Sequence, residues 1–253
     1  AAAFGTVSGF KGKVAFSDLL NLKTPPNQLA TVDEINAGLA IKSGQIRYQL
    51  LPNRVVVVEK GDWPFFDGHL TLDGSVLDFG HTGSHKVVFH VSDMDSAPLV
   101  ENLQLKNIFV SGRFDGILPI EFSANSGKIE GGRLASRKPG GVVSYVGPVS
   151  NAHQGMLGKV AFDVLKGVRY QRLDVLLNGS LDGDFVSSIQ FGGVREVETK
   201  ADRSYLAREI EKVPFHFNVQ VKAPFRGLLN AMRSYNNPRS VLNQSELATE
   251  GAF

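Results

Sequence analysis

The chain has 253 residues, enough for a large core, and its 27 basic and 25 acidic residues leave a net charge of only +2. The two signs are interspersed, so the basic face that a nucleic-acid partner requires is not expected, and 42% hydrophobic content excludes a disordered chain. The absence of cysteine excludes disulfides, thiol nucleophiles and zinc–thiolate sites.

The first residues, "AAAFG", lack the charged-then-apolar pattern of a signal peptide, and no run reaches the ~18 apolar residues of a membrane span. We read the chain as one piece, residues 1–253, of something longer. "TVDEINAGL" places Glu34 three residues after Thr31, the spacing of a capping box, and predicts a helix. "QIRYQL" then sets Ile46, Tyr48 and Leu50 against Gln45, Arg47 and Gln49, an alternation that predicts a strand with one apolar face. "VVVVE" is the one stretch that resembles a strand buried on both faces. "HLTLDG" repeats the alternation with Leu70 and Leu72, and "NLQLKNIFV" with Leu103 and Leu105. "RLDVLLN" sets Leu173, Val175 and Leu177 against Arg172 and Asp174. "PFHFNVQVK" alternates Phe215, Phe217, Val219 and Val221 with polar residues and predicts a strand over 214–222. Further helices are predicted near 151–166, in "DRSYLAREIEKV" and in "FRGLLNAMRSY". Turn signals such as "LPNR", "FFDG", "KPGG" and "LNGSLDGD" separate the strands at the spacing of a meander. "VSGFKGKVAF" resembles "VSGRFDGILPIEF", and "WPFFDGHL" resembles "GKIEGGRL", as diverged copies of one unit would. The expectation is a mainly β fold: a long, curled antiparallel sheet forming an open, taco-like groove, with a few short helices.

Side chains that carry chemistry sit in turns. His81, His85 and His90 lie near Asp78, Asp93 and Asp95, but Gly80 and Gly83 break any helix that would align the first two as metal ligands. The pairs Asp93/Asp95 and Asp182/Asp184 could flank a sugar bond, yet each stands beside glycine or serine, where aspartate serves turn geometry. No phosphate-binding or nucleophile-elbow motif occurs. Trp63 reads as a packing anchor, and "GGRLASRKPGG" as a solvated hairpin tip whose Arg133, Arg137 and Lys138 leave headgroup binding open. No catalytic residue, cofactor or metal site is assigned.

The order of "DGILPI", "IEGGRLA", "PGGVVSY", "LKGVRYQRL" and "PFHFNVQVKAPFRGLLNAM" resembles the C-terminal region of the YdbH-like family. That family belongs to the AsmA-like group, which includes TamB, and carries the older label "dicarboxylate transport". Two departures stand out: Asp67-Gly68 replaces a glycine pair, and residues Arg195 to Val213 form an expanded segment. The resemblance implies a non-enzymatic role in the Gram-negative periplasm, with phospholipid carried along an apolar concave face. It also implies an inner-membrane anchor helix upstream and a small outer-membrane lipoprotein docking at the C-terminal end by strand addition. The candidate lining is then Ile46, Tyr48, Leu50, Leu70, Leu72, Leu103, Leu105, Leu173, Val175, Leu177, Phe215, Phe217, Val219 and Val221. Two other classes stay open: a closed β-sandwich adaptor of the cell envelope, and a carbohydrate-active enzyme using Asp182 or Asp184.

Overall fold

A computed structural model describes residues 6–36, 40–102, 107–123, 126–145, 167–181, 184–193, 195–196 and 218–224. Among these the chain is mainly β, with one short helix and a large antiparallel sheet not closed into a barrel. The strands run β1 (Thr6–Ser8), β2 (Lys11–Gly12), β3 (Gln28–Asn36), β4 (Ala40–Leu51), β5 (Val55–Phe65), β6 (Gly68–Leu72), β7 (Ser75–Asp78) and β8 (His85–Asp95). Helix α1 (Ser96–Asn102) and β9 (Ile108–Val110) follow, then β10 (Arg113–Phe122), β11 (Gly127–Ser136) and β12 (Gly141–Tyr145). The last are β13 (Val168–Tyr170), β14 (Arg172–Ser180), β15 (Asp184–Gly192), β16 (Arg195–Glu196) and β17 (Asn218–Pro224). The main sheet has 13 strands in the order β1-β3-β4-β5-β6-β8-β10-β11-β14-β15-β17, with β2 on β3 and β7 on β5. Strands β9, β12, β13 and β16 form a smaller antiparallel sheet.

Sequence alternation and register agree closely. Ile46 pairs with Gly61, Tyr48 with Val58, Trp63 with Leu70 and Leu70 with Val91. Side chains opposite each other in a ladder share a face, so these pairs continue one apolar face from strand to strand. That face holds the buried cluster of Val58, Trp63, Leu70, Leu72, Val87, Val91, Met94, Phe114, Phe122 and Leu173. Bulges keep the alternation in phase. Between β4 and β5 the register shifts at Arg47/Tyr48, between β8 and β10 at Phe114/Gly116, and between β10 and β11 at Ile117/Ile120. Gly131, at φ 72°, supplies the left-handed residue of the last.

Several expectations are corrected. "TVDEIN" is not a helix but most of β3, because Ala30 and Val32 are buried while Leu29 and Asp33 point out, a two-residue period that the capping-box spacing masked. Asn102 ends α1 rather than opening a strand, and the strand begins at Ile108. The "KPGG" turn is no hairpin tip. β11 pairs with β10 and β14, whereas β12 pairs with β9 and β13, so the turn carries the chain from one sheet to the other. The paired segments are not repeats either: "FFDG" closes the β5–β6 hairpin, while "EGG" is a bulge inside β11. Helices predicted near 151–166, over 201–213 and from Phe225 onward lie outside the described residues.

The smaller sheet is clamped to the main one by Tyr170, which is fully buried. Its hydroxyl donates to the Ser111 carbonyl at 2.6 Å, and its ring meets Phe191 edge-on at 6.2 Å. Burial pushes the phenol up to about 12, so it remains a donor at any physiological pH.

Trp63, 1% exposed, lies flat across its neighbours. A Cβ on Gly44 would fall 1.7 Å from the indole nitrogen, and one on Gly61 would fall 2.4 Å from the ring. Neither position admits a side chain without moving the indole. Gly44→Ala should therefore destabilise the protein by about 1–3 kcal/mol through overpacking. Adding Trp63→Phe should recover part of that loss, as read by circular-dichroism urea melts. Simple additivity of the two changes would show that the indole and Gly44 do not meet.

Candidate functional site

The chemistry of the sheet divides by face. From Ile46 on β4 to Gly179 on β14, the inward positions set by the register carry apolar side chains, glycine, serine and, at the start of β8, His85, with no Asp, Glu, Lys or Arg. Outward positions carry ion pairs that tie strand to strand. Glu121 lies across from both Lys86 and Lys128 and pairs with each, at 3.7 and 3.5 Å. Arg133 on β11 meets Asp174 on β14 at 2.6 Å, and Arg172 closes on the same carboxylate.

A second cluster sits where β8 bulges. Asp93, at φ 54°, donates its N–H to Asp115 Oδ1 at 2.9 Å and accepts from Arg113 Nε at 2.7 Å. Arg137 bridges the two acids, reaching Asp115 at 2.9 Å and also Asp93. Arg113 and Arg137, in that order, hold the Asp93 carboxyl below its usual range. At Asp174 burial pushes the carboxyl up, but hydrogen bonds from Arg172 and Arg133 outweigh it and the net shift is downward.

The candidate lining residues fall into three groups. Tyr48, Leu70, Leu72 and Leu173 are buried in the inner face. Ile46, Leu50, Val175 and Leu177 are half-buried on it. For β17 the backbone register sets Val219 opposite Ile189 and Val221 opposite Ser187. Leu103, Leu105, Phe215 and Phe217 lie outside the described residues.

Sequence reasoning found Val175 and Leu177 but missed the other residues of the strip they belong to. Phe89 pairs with Leu118, Gly116 with Leu134, Leu134 with Val175, and Val175 with Ile189. All five apolar residues of these pairs are half-buried, so together with Leu177 they form an uncharged strip crossing β8, β10, β11, β14 and β15. At ~4.8 Å per strand the strip is about 19 Å long. "GILPIEF" hid Leu118 because Pro119 interrupts the pattern, and the glycine pair Gly131-Gly132 hid Leu134. The alternation of "KVVFHV" was there to be read.

The polar candidates do not converge. His81 pairs with Asp78 and His90 with Asp73, each at 2.8 Å, while the His85 ring packs against Phe79 and Phe122. Among the described residues no three His, Asp or Glu side chains form a metal cluster. Asp182 lies outside the described residues, and Asp184 opens β15. Arg133 and Arg137 already hold carboxylates, which weakens the headgroup reading for both.

The Asp93 cluster has a measurable consequence. A carboxyl depressed in the folded state stabilises the protein above its unfolded value of ~3.9, and that contribution is lost as pH falls through the lower folded value. Asp93→Asn should lower the urea midpoint at neutral pH and reduce the loss of stability on acidification below about pH 4 relative to the parent. Parallel midpoint-versus-pH curves for the two proteins would remove Asp93 from that role.

Comparison with known proteins agrees with this arrangement. The YdbH-like family model, described as "Intermembrane phospholipid transport protein YdbH", matches residues 1–247. No match is found among curated proteins or among solved structures. Among the described residues no helix is long and apolar enough to cross a membrane. An uncharged inner face and an ion-paired outer one suit a family described by phospholipid transport. The chain belongs to the YdbH-like family of intermembrane phospholipid transport proteins.

Proposed function

We propose that the inner face of the main sheet is an apolar trough that conducts phospholipid acyl chains across the periplasm between inner and outer membranes, without catalysis. The carrying observation is the continuous half-buried strip from Phe89 to Ile189, with no ionised side chain at its positions. Exposing an acyl chain to water costs about 0.8 kcal/mol per methylene, so roughly 12 kcal/mol for a palmitoyl chain. A lining of Phe, Leu, Ile and Val removes most of that cost without a specific site. An acyl chain spans about half of a ~30 Å hydrocarbon core, so a strip of ~19 Å is long enough to hold one.

On this reading the chain is a single periplasmic segment of a longer protein anchored in the inner membrane. The outer edge of β17 has no partner strand among the described residues. Free backbone donors and acceptors there support docking of a small outer-membrane lipoprotein by strand addition.

A second reading, a closed adaptor of the cell envelope, draws on the smaller sheet. Tyr170 and Val143 join the same apolar cluster as Met94, Phe114 and Leu173, so part of the inner face is already covered by protein. Photo-crosslinkers separate the two. Probes at Val175 and Leu177 should capture phospholipid in cells, while probes at Leu176 and Asn178 on the outer face should not. Equal capture from both faces would sink the trough, and capture from neither would favour the adaptor.

A further inference from the structure

The most exposed large apolar side chain of the described residues, Leu20 at 96%, is not in the trough. It sits in the segment between β2 and β3 with Leu19 and Leu22, which are 66% and 56% exposed. The turn that presents them is firmly built. Asp18 accepts from the N–H groups of Leu20 and Asn21, at 3.1 and 3.2 Å, and from the Asn21 amide at 2.6 Å. Ser17 and Lys23 close its neck through backbone hydrogen bonds. Buried Thr24 fastens the base to β4, its N–H donating to the Leu50 carbonyl and its hydroxyl accepting the Leu50 N–H. Holding three leucines in water on a rigid turn is unfavourable unless something apolar receives them.

The surroundings say what that is. A shallow trough on the outer face, lined by the residues that flank this segment in β2 and β3, is floored by half-exposed Leu29 and flanked by Lys11 and Lys13 on one side and by Arg47, Lys60 and Asp62 on the other, Asp62 facing His69. Arg47 and Lys60 stand directly opposite each other in the β4–β5 ladder, a like-charge pairing that costs stability. Lys13, Arg47 and Lys60 form no ion pair with any described residue, while Lys23 feels Asp18 within its own turn, Asp33 pairs with Lys11, and Glu59 and Asp18 accept backbone N–H groups. Unpaired cations beside protruding leucines match a surface that is apolar within and negative without. A protein partner would need a matched acidic, shape-complementary face, whereas anionic lipid needs only these two features.

We propose that the Leu19–Leu22 turn and the adjoining basic trough form a docking surface for the interface of a bilayer bearing anionic headgroups. The leucines enter the acyl boundary and Lys13, Lys23, Arg47 and Lys60 meet the phosphates. This contact lies on the outer face and does not depend on the trough carrying lipid.

The cysteine-free chain allows a clean test. The full chain with Leu20→Cys, carrying an environment-sensitive NBD dye, is mixed with vesicles of phosphatidylcholine alone or of phosphatidylcholine with phosphatidylglycerol. With anionic vesicles the emission should rise and shift to the blue, and added salt should reverse the change. Lys13→Glu and Lys23→Glu should each weaken vesicle binding at least about fivefold. In the unlabelled protein Leu20→Asp should weaken it about tenfold or more. A dye at Leu177→Cys reports lipid entry into the trough separately, so either idea can fail while the other stands. No response at position 20, an equal response to neutral vesicles, or a response that grows with protein concentration in the absence of vesicles would overturn the proposal, the last in favour of a second copy of the chain.

Discussion

Register is the constraint on which everything else rests. In a strand successive side chains point to opposite faces, so a slip of one residue would turn the whole apolar set of that strand to water and its charges inward. Such an error would bury ionised groups at a cost of several kcal/mol each. The sheet is held in phase by two devices acting on opposite faces. Inside, large side chains such as Trp63 over Gly44 and Gly61 fit one alignment only. Outside, cross-strand pairs such as Lys86–Glu121–Lys128 and Arg133–Asp174 reward the same alignment. Exposed pairs of this kind contribute little stability singly, and their value here is in choosing between registers.

Where alternation was uninterrupted, the sequence was legible. "QIRYQL", "HLTLDG" and "RLDVLLN" became strands with the expected faces inward. Failures came where a short-range signal competed with pairing partners that only the fold supplies. Thr31 and Glu34 have the spacing of a helix start, but β2 and β4 flank that segment and offer two ladders of hydrogen bonds in place of one helix. Ahead of "NLQLKNIFV", Ser96 and Asp95 turn the chain into α1 as far as Asn102, the Asp95 carboxylate accepting the Ala97 N–H at 2.9 Å, while Leu103 and Leu105 lie outside the described residues. The strip from Phe89 to Ile189 was harder to see, because its continuity lies across strands and is a property of pairing rather than of any one segment.

The separation of charge from apolar surface also explains why a search for chemistry finds none that converges. Among the described residues, His81, His90, Asp93, Arg133 and Arg137 are each engaged in a local pair, and His85 packs against Phe79 and Phe122. On the proposed reading a conduit needs a surface that is uniform along its length, since specific groups pointing inward would arrest anything moving past them. The smaller sheet is the exception to this uniformity. Through Tyr170 it fixes a second layer onto one part of the inner face, so the trough is not of constant depth.

The bulges at Arg47/Tyr48, Phe114/Gly116 and Ile117/Ile120 do more than keep faces in phase. An extra residue on one strand lengthens one side of the ladder and increases its twist, so the sheet must curl. Curvature is thus fixed by the number of backbone units on each strand and not by what fills the concavity. On the proposed reading a vessel shaped in this way keeps the same bore empty or full, and cargo entering it does no work against the wall.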